Sequence, residues 1–303
     1  MIEKYYDGAI EQVAAGLGTV EKNHLLVRYS GQFSVENLND TKQLEKNEDI
    51  FVQVHEFETG EITCAYEPYL TMICDGFRRY MTGTFEEFME TCDVYYLHRP
   101  VLLGYFNQDN TGREEIILLD EVAYEQERML AALERMLCAI ADRHPVLFVL
   151  NRFQLASKST MQLTARFLKC ENCNIGLVLG VSDIQAMPEF LVPDWEMLYE
   201  TLDDGSKIYH IGNSGRKKEE TIDDEKYVDY GSEKVYRKLQ NMVEFLDFDQ
   251  AAYYLENIER KIKFDNLLVD DAARFRMWLL FVKVSILRQD IPKALEICED
   301  LEK

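Results

Sequence analysis

The chain has 303 residues, 47% apolar and 29% charged, with six prolines, so it is long enough for two domains and too rich in core-forming residues for global disorder. Its formal charge of −22 repels nucleic-acid phosphates and anionic headgroups over most of the surface. The N-terminal MIEKYYDGAIEQ has no basic or apolar signal region, and no apolar run approaches the roughly eighteen residues of a membrane span. Seven scattered cysteines suit a reducing compartment. These features imply a cytoplasmic protein with no membrane or nucleic-acid partner for this segment. The basic run Arg216-Lys217-Lys218 is offset by Glu219 and Glu220 and reads as a solvated loop.

In chain order, Tyr6, Ile10, Val13 and Leu17 keep helical spacing, ended by Gly16 and Gly18. His24–Tyr29 (HLLVRY) reads as a strand, and Ile50–Phe57 (IFVQVHEF) alternates with the period of one. Pro68 suits the first turn of a helix that runs to about Met81, and Thr84–Thr91 reads as a short helix with Phe85 and Phe88 inward. Residues 93–120 are ambiguous: Tyr95–Leu97 and Val101–Tyr105 fit strands that could pair with Glu115–Leu119. A helix from Glu121 to Asp142 leads into Pro145–Leu150 (PVLFVL), whose unbroken apolar run predicts a strand buried on both faces. Ser159 is expected to cap a helix to Lys169. Asn174–Val181 (NIGLVLGV) is a second buried strand, Asp194–Leu202 a helix and Lys207–Ile211 a short strand. This alternation predicts an α/β fold with a parallel sheet and helices on both faces. The polar stretch 212–234 reads as a linker.

The tail is helical and carries a weak repeat. A shift of 43 residues lays Asp247 on Asp290, Phe248 on Ile291, Ala251 on Ala294, Tyr254 on Ile297 and Ile258 on Leu301. Each copy places an aspartate and an apolar residue in a tight turn, then an alanine where helices approach closely, as stacked helical hairpins require. Phe275, Trp278, Leu279, Phe281 and Val282 make one tail helix apolar almost all round. That predicts either a buried helix or a surface for a protein partner or a further domain of the same chain, with Phe275, Trp278 and Phe281 as its contact residues.

The cadence of His144–Ser157, Ser159–Leu168 and Ile175–Asp183 resembles the Walker B strand, following helix and sensor strand of STAND-type signalling ATPases, which are AAA-related. Tyr66–Tyr69 resembles their Pro-Tyr segment, and the tail resembles tetratricopeptide-type repeats with a longer period. The resemblance implies a P-loop-NTPase-like α/β domain over residues 1–212, a linker over 213–234 and TPR-like repeats over 235–303 that continue beyond the chain.

The departures from that pattern bear on function. After the first strand the chain reads Ser30-Gly31-Gln32-Phe33-Ser34-Val35-Glu36-Asn37, with one glycine and no P-loop lysine. The Walker B strand ends in Asn151 and Arg152, where an acid should hold magnesium and a second acid often acts as base. Ser30, Gly31, Asn151 and Arg152 would then line a degenerate nucleotide site, with no catalytic residue, no metal ligand and no resident cofactor. The expectation is a regulatory, protein-interacting module. The alternative is a switch that binds ATP or ADP and controls an output domain, such as a nucleotide cyclase or a DNA-binding domain, absent from this chain.

Other constellations point to ordinary structure. Cys170-Glu171-Asn172-Cys173 lacks a second pair for zinc and follows a helix, where a redox CxxC would precede one. His55 and Glu56 at a strand end form a site only if they converge on a pocket near Ser30–Phe33. The pairs Asp203-Asp204, Asp223-Asp224 and Asp270-Asp271 have no EF-hand spacing.

Overall fold

The computed structural model describes residues 2–17, 24–29, 49–58, 61–108, 121–170, 174–182, 187–203, 207–211, 229–264, 267 and 269–301, with backbone alone at 2–5, 203 and 207–211. Helix α1 (Ile2–Gly16) precedes strands β1 (Leu25–Tyr29) and β2 (Phe51–Glu56). Helices α2 (Tyr69–Tyr80), α3 (Phe85–Thr91), α4 (Arg99–Asn107) and α5 (Val122–Ala141) follow. Then come β3 (Val146–Asn151), α6 (Lys158–Lys169), β4 (Ile175–Ser182), α7 (Val192–Asp203) and β5 (Lys207–Ile211). The chain ends in α8 (Glu233–Glu244), α9 (Phe248–Phe264), α10 (Asp271–Leu287) and α11 (Ile291–Leu301). No described helix is long and apolar enough to cross a membrane.

The five strands form one parallel sheet in the order β2-β3-β4-β1-β5. Every residue of β3 and β4 is buried, which is why their sequences show no polar alternation. Side chains still alternate between faces. Leu147 and Val149 pack with Leu25, Val27 and Val178 under α1, through Tyr6, Ala9, Ile10 and Val13. Val146, Phe148 and Leu150 face the other way, into the larger core under α2, α5 and α6. There the Tyr69 ring meets Phe148 edge-on at 4.7 Å and Phe167 at 5.4 Å.

Two glycines let α1 lie close on β4. A Cβ at Gly176 would come within 2.6 Å of Val13, and one at Gly180 within 2.3 Å of the Tyr6 hydroxyl. Glycine inside a strand commonly marks such a close approach.

Four local expectations change. Val101–Tyr105 is helical within α4, because Pro100 in its first turn suits a helix start and would interrupt a strand ladder. Tyr95–Leu97 forms a turn and no strand, while Glu115–Leu119 lies outside the described residues. The cap of α6 is Ser157, with extended backbone, accepting from the Thr160 N–H at 3.2 Å. Ser159 is already helical, and its hydroxyl accepts from the Tyr66 N–H at 3.0 Å. Pro68 occupies the cap position of α2, one residue before its first turn, after a cis Glu67–Pro68 bond.

The repeat seen in the sequence is repeated in the backbone. Leu246 and Gln289 both have left-handed φ, +65° and +60°. The Asp247 N–H donates to Met242 O at 2.7 Å, and the Asp290 N–H donates to Ser285 O at 2.8 Å. Ala251 and Ala294 then donate to the carbonyls of those two aspartates, and both alanines are buried. Residues 212–228 of the expected linker lie outside the described residues, and Ser232 already caps α8.

Candidate functional site

The C-terminal edge of a parallel sheet is where open α/β folds commonly place ligands. Here the tips of β1, β3 and β2 bring together Tyr29, Asn151 and Glu56, with Arg152 next in sequence and Tyr6 reaching in from α1. The Tyr29 hydroxyl donates to Asn151 Oδ1 at 2.7 Å. Asn151 is fully buried. Gly180 on the adjacent β4 makes room for both Asn151 Oδ1 and the Tyr6 hydroxyl, which would lie 2.6 Å and 2.3 Å from a Cβ there.

Arg152 adopts a left-handed conformation, φ 53° and ψ 42°, as the chain turns out of β3 into the short 3₁₀ segment Phe153–Leu155. Its Nη2 lies 3.3 Å from Glu56 Oε1. Burial pushes the Tyr29 hydroxyl up to about 12, against the Arg152 charge and the Asn151 hydrogen bond. Burial, then the charges of Tyr29 and Glu56, raise Tyr6 further. Both phenols are therefore neutral donors at neutral pH. The loop that follows is tied to β4 by Gln154, whose Nε2 donates to Ser182 O at 3.2 Å and whose Oε1 accepts from the Ser182 N–H at 3.3 Å.

The chemistry of this donor set is limited. The Asn151 oxygen is engaged by a phenol, and amide oxygen is a weak, neutral ligand for magnesium. The Glu56 carboxylate faces a guanidinium, and neither phenol ionises to serve as a base. The cluster is a partnered polar network. Of the sequence-predicted residues, Asn151 and Arg152 sit in it, whereas Ser30 and Gly31 lie outside the described residues. The His55 ring packs edge-on against Phe57 at 4.5 Å, and burial lowers its pKa despite the nearby Glu67 and Glu56; the Ser30–Phe33 segment on which His55 and Glu56 would have to converge lies outside the described residues. Of the CxxC segment only Cys170 is described, half-buried. Tyr6, Tyr29 and Gly180 were not legible as site residues, although a glycine inside an apolar strand was a usable signal.

The tail helix was expected either to be buried or to offer Phe275, Trp278 and Phe281 to a partner. Phe275 is 52% exposed, but Trp278 and Phe281 are 4% and 1% exposed and belong to the core. One side of α10 is buried, with Met277, Trp278, Phe281 and Val284, while Phe275, Leu279 and Ile286 on the other side are exposed.

A second polar cluster joins the helical tail to the α/β part. Asp247, buried between α8 and α9, accepts from the Ser159 N–H at 3.1 Å in the first turn of α6, where the helix dipole favours an anion. Gln250 Oε1 accepts from the Lys158 N–H at 3.2 Å, and the Lys158 ammonium pairs with Asp249. Nearby, the Ala65 N–H donates to Asn241 Oδ1 at 3.2 Å and Lys238 Nζ donates to Ile62 O at 2.8 Å. A hollow of about 290 Å³ lies beside this joint, between Glu58, Glu61 and Leu191 on one side and Tyr230, Tyr253 and Arg260 on the other.

Burial raises the Asp247 carboxyl to about 6 from an ordinary 3.8, although the Ser159 hydrogen bonds and Lys158 favour its charged form. A raised carboxyl contributes stability that is complete below about 3.8 and is lost as pH climbs through about 6. At roughly 1.4 kcal/mol per pH unit, the expected loss is about 3 kcal/mol. Asp247→Asn keeps an oxygen for the Ser159 N–H and cannot ionise. Urea unfolding should therefore show the variant gaining on the natural chain as pH rises from about 3.8 to about 6, with no further gain above. A difference between the two chains that stays constant over this range would exclude the effect.

No protein-family model matches the chain, and no curated protein sequence is significantly similar to it.

Proposed function

We propose that this chain is a non-catalytic regulatory and protein-interaction module of a cytoplasmic signal-transduction protein. In this reading a P-loop-like core of the AAA and STAND type has lost its phosphate and magnesium chemistry, and TPR-like helical pairs extend it. The observation that carries the reading is the tip of β3. Asparagine stands where the metal-holding acid would be, and its oxygen accepts the Tyr29 hydroxyl at 2.7 Å. The next residue is an arginine whose guanidinium faces Glu56. Phosphoryl transfer needs a metal ligand, a positioned base or water and cationic charge on the phosphates. The described residues of this edge offer one partnered guanidinium and no free acid.

The parallel sheet flanked by helices is compatible with such a core. The turns before α9 and α11, alike in backbone and 43 residues apart, support the repeat reading.

The switch alternative, an ATP- or ADP-binding device acting on a separate output domain, is favoured by one observation. The helical tail is hydrogen-bonded to segments that leave the same sheet edge, through Asp247 to Ser159 and Asn241 to Ala65. Phosphate release from Mg-ATP tests hydrolysis directly. The expected rate is that of buffer alone. Release above background that Asn151→Ala abolishes would overturn the non-catalytic reading.

A further inference from the structure

The side of α9 that meets the α/β part is polar and aromatic. Gln250, Tyr253, Tyr254, Asn257 and Lys261 recur at i, i+3, i+4, i+7 and i+11, the spacing of one helical stripe. A stripe that served packing alone would be apolar. Nor does the helical repeat impose these residues. In its 43-residue register, Lys293, Glu296 and Asp300 of α11 stand at the positions of Gln250, Tyr253 and Asn257.

The stripe lines the hollow of about 290 Å³, whose other side is built by segments near the C-terminal edge of the sheet: Glu58 and Glu61 after β2, and Leu155 after β3. Its walls are fixed from behind. Gln250 is 2% exposed, and its Oε1 accepts from the Lys158 N–H at 3.2 Å. The Tyr254 hydroxyl accepts from the Thr63 N–H at 3.4 Å, and the Tyr253 ring lies 4.8 Å from that of Phe190. Arg260 donates to Asn257 Oδ1 at 2.7 Å, which uses one N–H of a guanidinium that has several. The Lys261 ammonium lies over the Tyr230 ring at 5.4 Å. Among the described lining residues two acids, Glu58 and Glu61, balance two bases, Arg260 and Lys261. The acids follow β2 and the bases stand on α9, so the two signs sit on different walls.

We propose that this hollow binds a free aromatic α-amino acid, its ammonium toward Glu58 and Glu61, its carboxylate toward Arg260 and Lys261, and its ring on Tyr253. A zwitterion answers both charged walls at once, and tyrosine faces suit an aromatic side chain. A phosphate chain would need an excess of positive charge that the lining lacks. A nucleobase would use the tyrosines and leave both charged walls unanswered. The volume lies at the small end of ligand pockets, which run from about 300 to 1,000 Å³, as a single amino acid requires. The occupant would touch α9 and the α/β part together and so strengthen their joint. This goes beyond the interaction-module reading and does not depend on it.

Equilibrium dialysis of the full chain against radiolabelled L-phenylalanine, L-tyrosine and L-tryptophan tests it. Saturable binding of at least one is expected, weakened about tenfold or more by Arg260→Gln and by the double variant Glu58→Gln/Glu61→Gln. Two analogues assign the charges. Phenethylamine lacks the carboxylate, so Arg260→Gln should not weaken it. Phenylpropionate lacks the ammonium, so the double variant should not weaken it. Tyr253→Ala should weaken every one of these ligands, and unchanged circular dichroism shows that each variant is folded. No saturable binding of the three amino acids at millimolar concentration would overturn the proposal. So would binding that folded Arg260→Gln and Tyr253→Ala leave unchanged, or saturation by adenosine in place of the amino acids. Phosphate release from Mg-ATP is a separate readout, so failure here and failure of the non-catalytic reading are distinguishable.

Discussion

Replacing Gly180 by valine is expected to cost about 3 kcal/mol or more, the upper range for forcing atoms into a packed interior. The first added atom would already lie 2.3 Å from the Tyr6 hydroxyl, 2.9 Å from its ring and 2.6 Å from Asn151 Oδ1. Neither neighbour can swing into solvent, because Tyr6 and Asn151 are fully buried. Relief would need α1 to lift off β4 or Asn151 to leave Tyr29. The milder Gly180→Ala isolates the cause. It should cost about 1 kcal/mol less in a Tyr6→Phe background, since residues in contact couple on that scale. Urea unfolding midpoints of the four chains give the coupling. Additive costs would mean that the glycine is not there to admit the tyrosine.

Trp278→Ala is expected to cost about 3–5 kcal/mol, whereas Phe275→Ala should fall within about 0.5 kcal/mol of the natural chain. The two residues sit one turn apart on α10, yet one is 4% and the other 52% exposed. Truncating Trp278 leaves a cavity lined by α10 and its neighbours. Truncating Phe275 removes contacts mostly with water. Denaturant unfolding monitored by circular dichroism distinguishes them. Similar small losses for both would return Trp278 to the surface and restore it as a partner contact.

Legibility in the sequence followed how far each signal was local. The short apolar runs of β3 and β4 pointed to buried strands, and the alternation of β2 and the inward Phe85 and Phe88 of α3 were equally direct. The segment around Arg99–Asn107 was not readable, because its aromatic and β-branched residues favour a strand while Pro100 favours a helix start. Packing under α2 settles such a conflict, and packing is non-local. The cap of α6 was misplaced by two residues, since Ser157 and Ser159 are chemically identical and differ only in backbone conformation and in the long-range partners Tyr66 and Asp247.

The candidate site was half visible. Asn151 and Arg152 stood out because a strand tip lacked its expected acid. Tyr29, Tyr6 and Gly180 did not stand out, since their meeting depends on how α1 crosses the sheet. The aspartates of the tail repeat were visible as a pattern. Their difference in role was hidden: Asp247 docks on α6, whereas Asp290 caps α11 by accepting from the Lys293 N–H at 3.2 Å.

The central claim concerns the sheet edge, where a tyrosine occupies the asparagine oxygen and a glutamate occupies the arginine. Thermal melting in millimolar Mg-ATP or Mg-ADP tests it most directly. A ligand present at about a hundredfold its dissociation constant stabilises a fold by about 2.7 kcal/mol, a plainly visible rise in midpoint. Unchanged melting is expected with both nucleotides. A rise that Asn151→Ala removes would mean that the β3 tip holds a nucleotide after all.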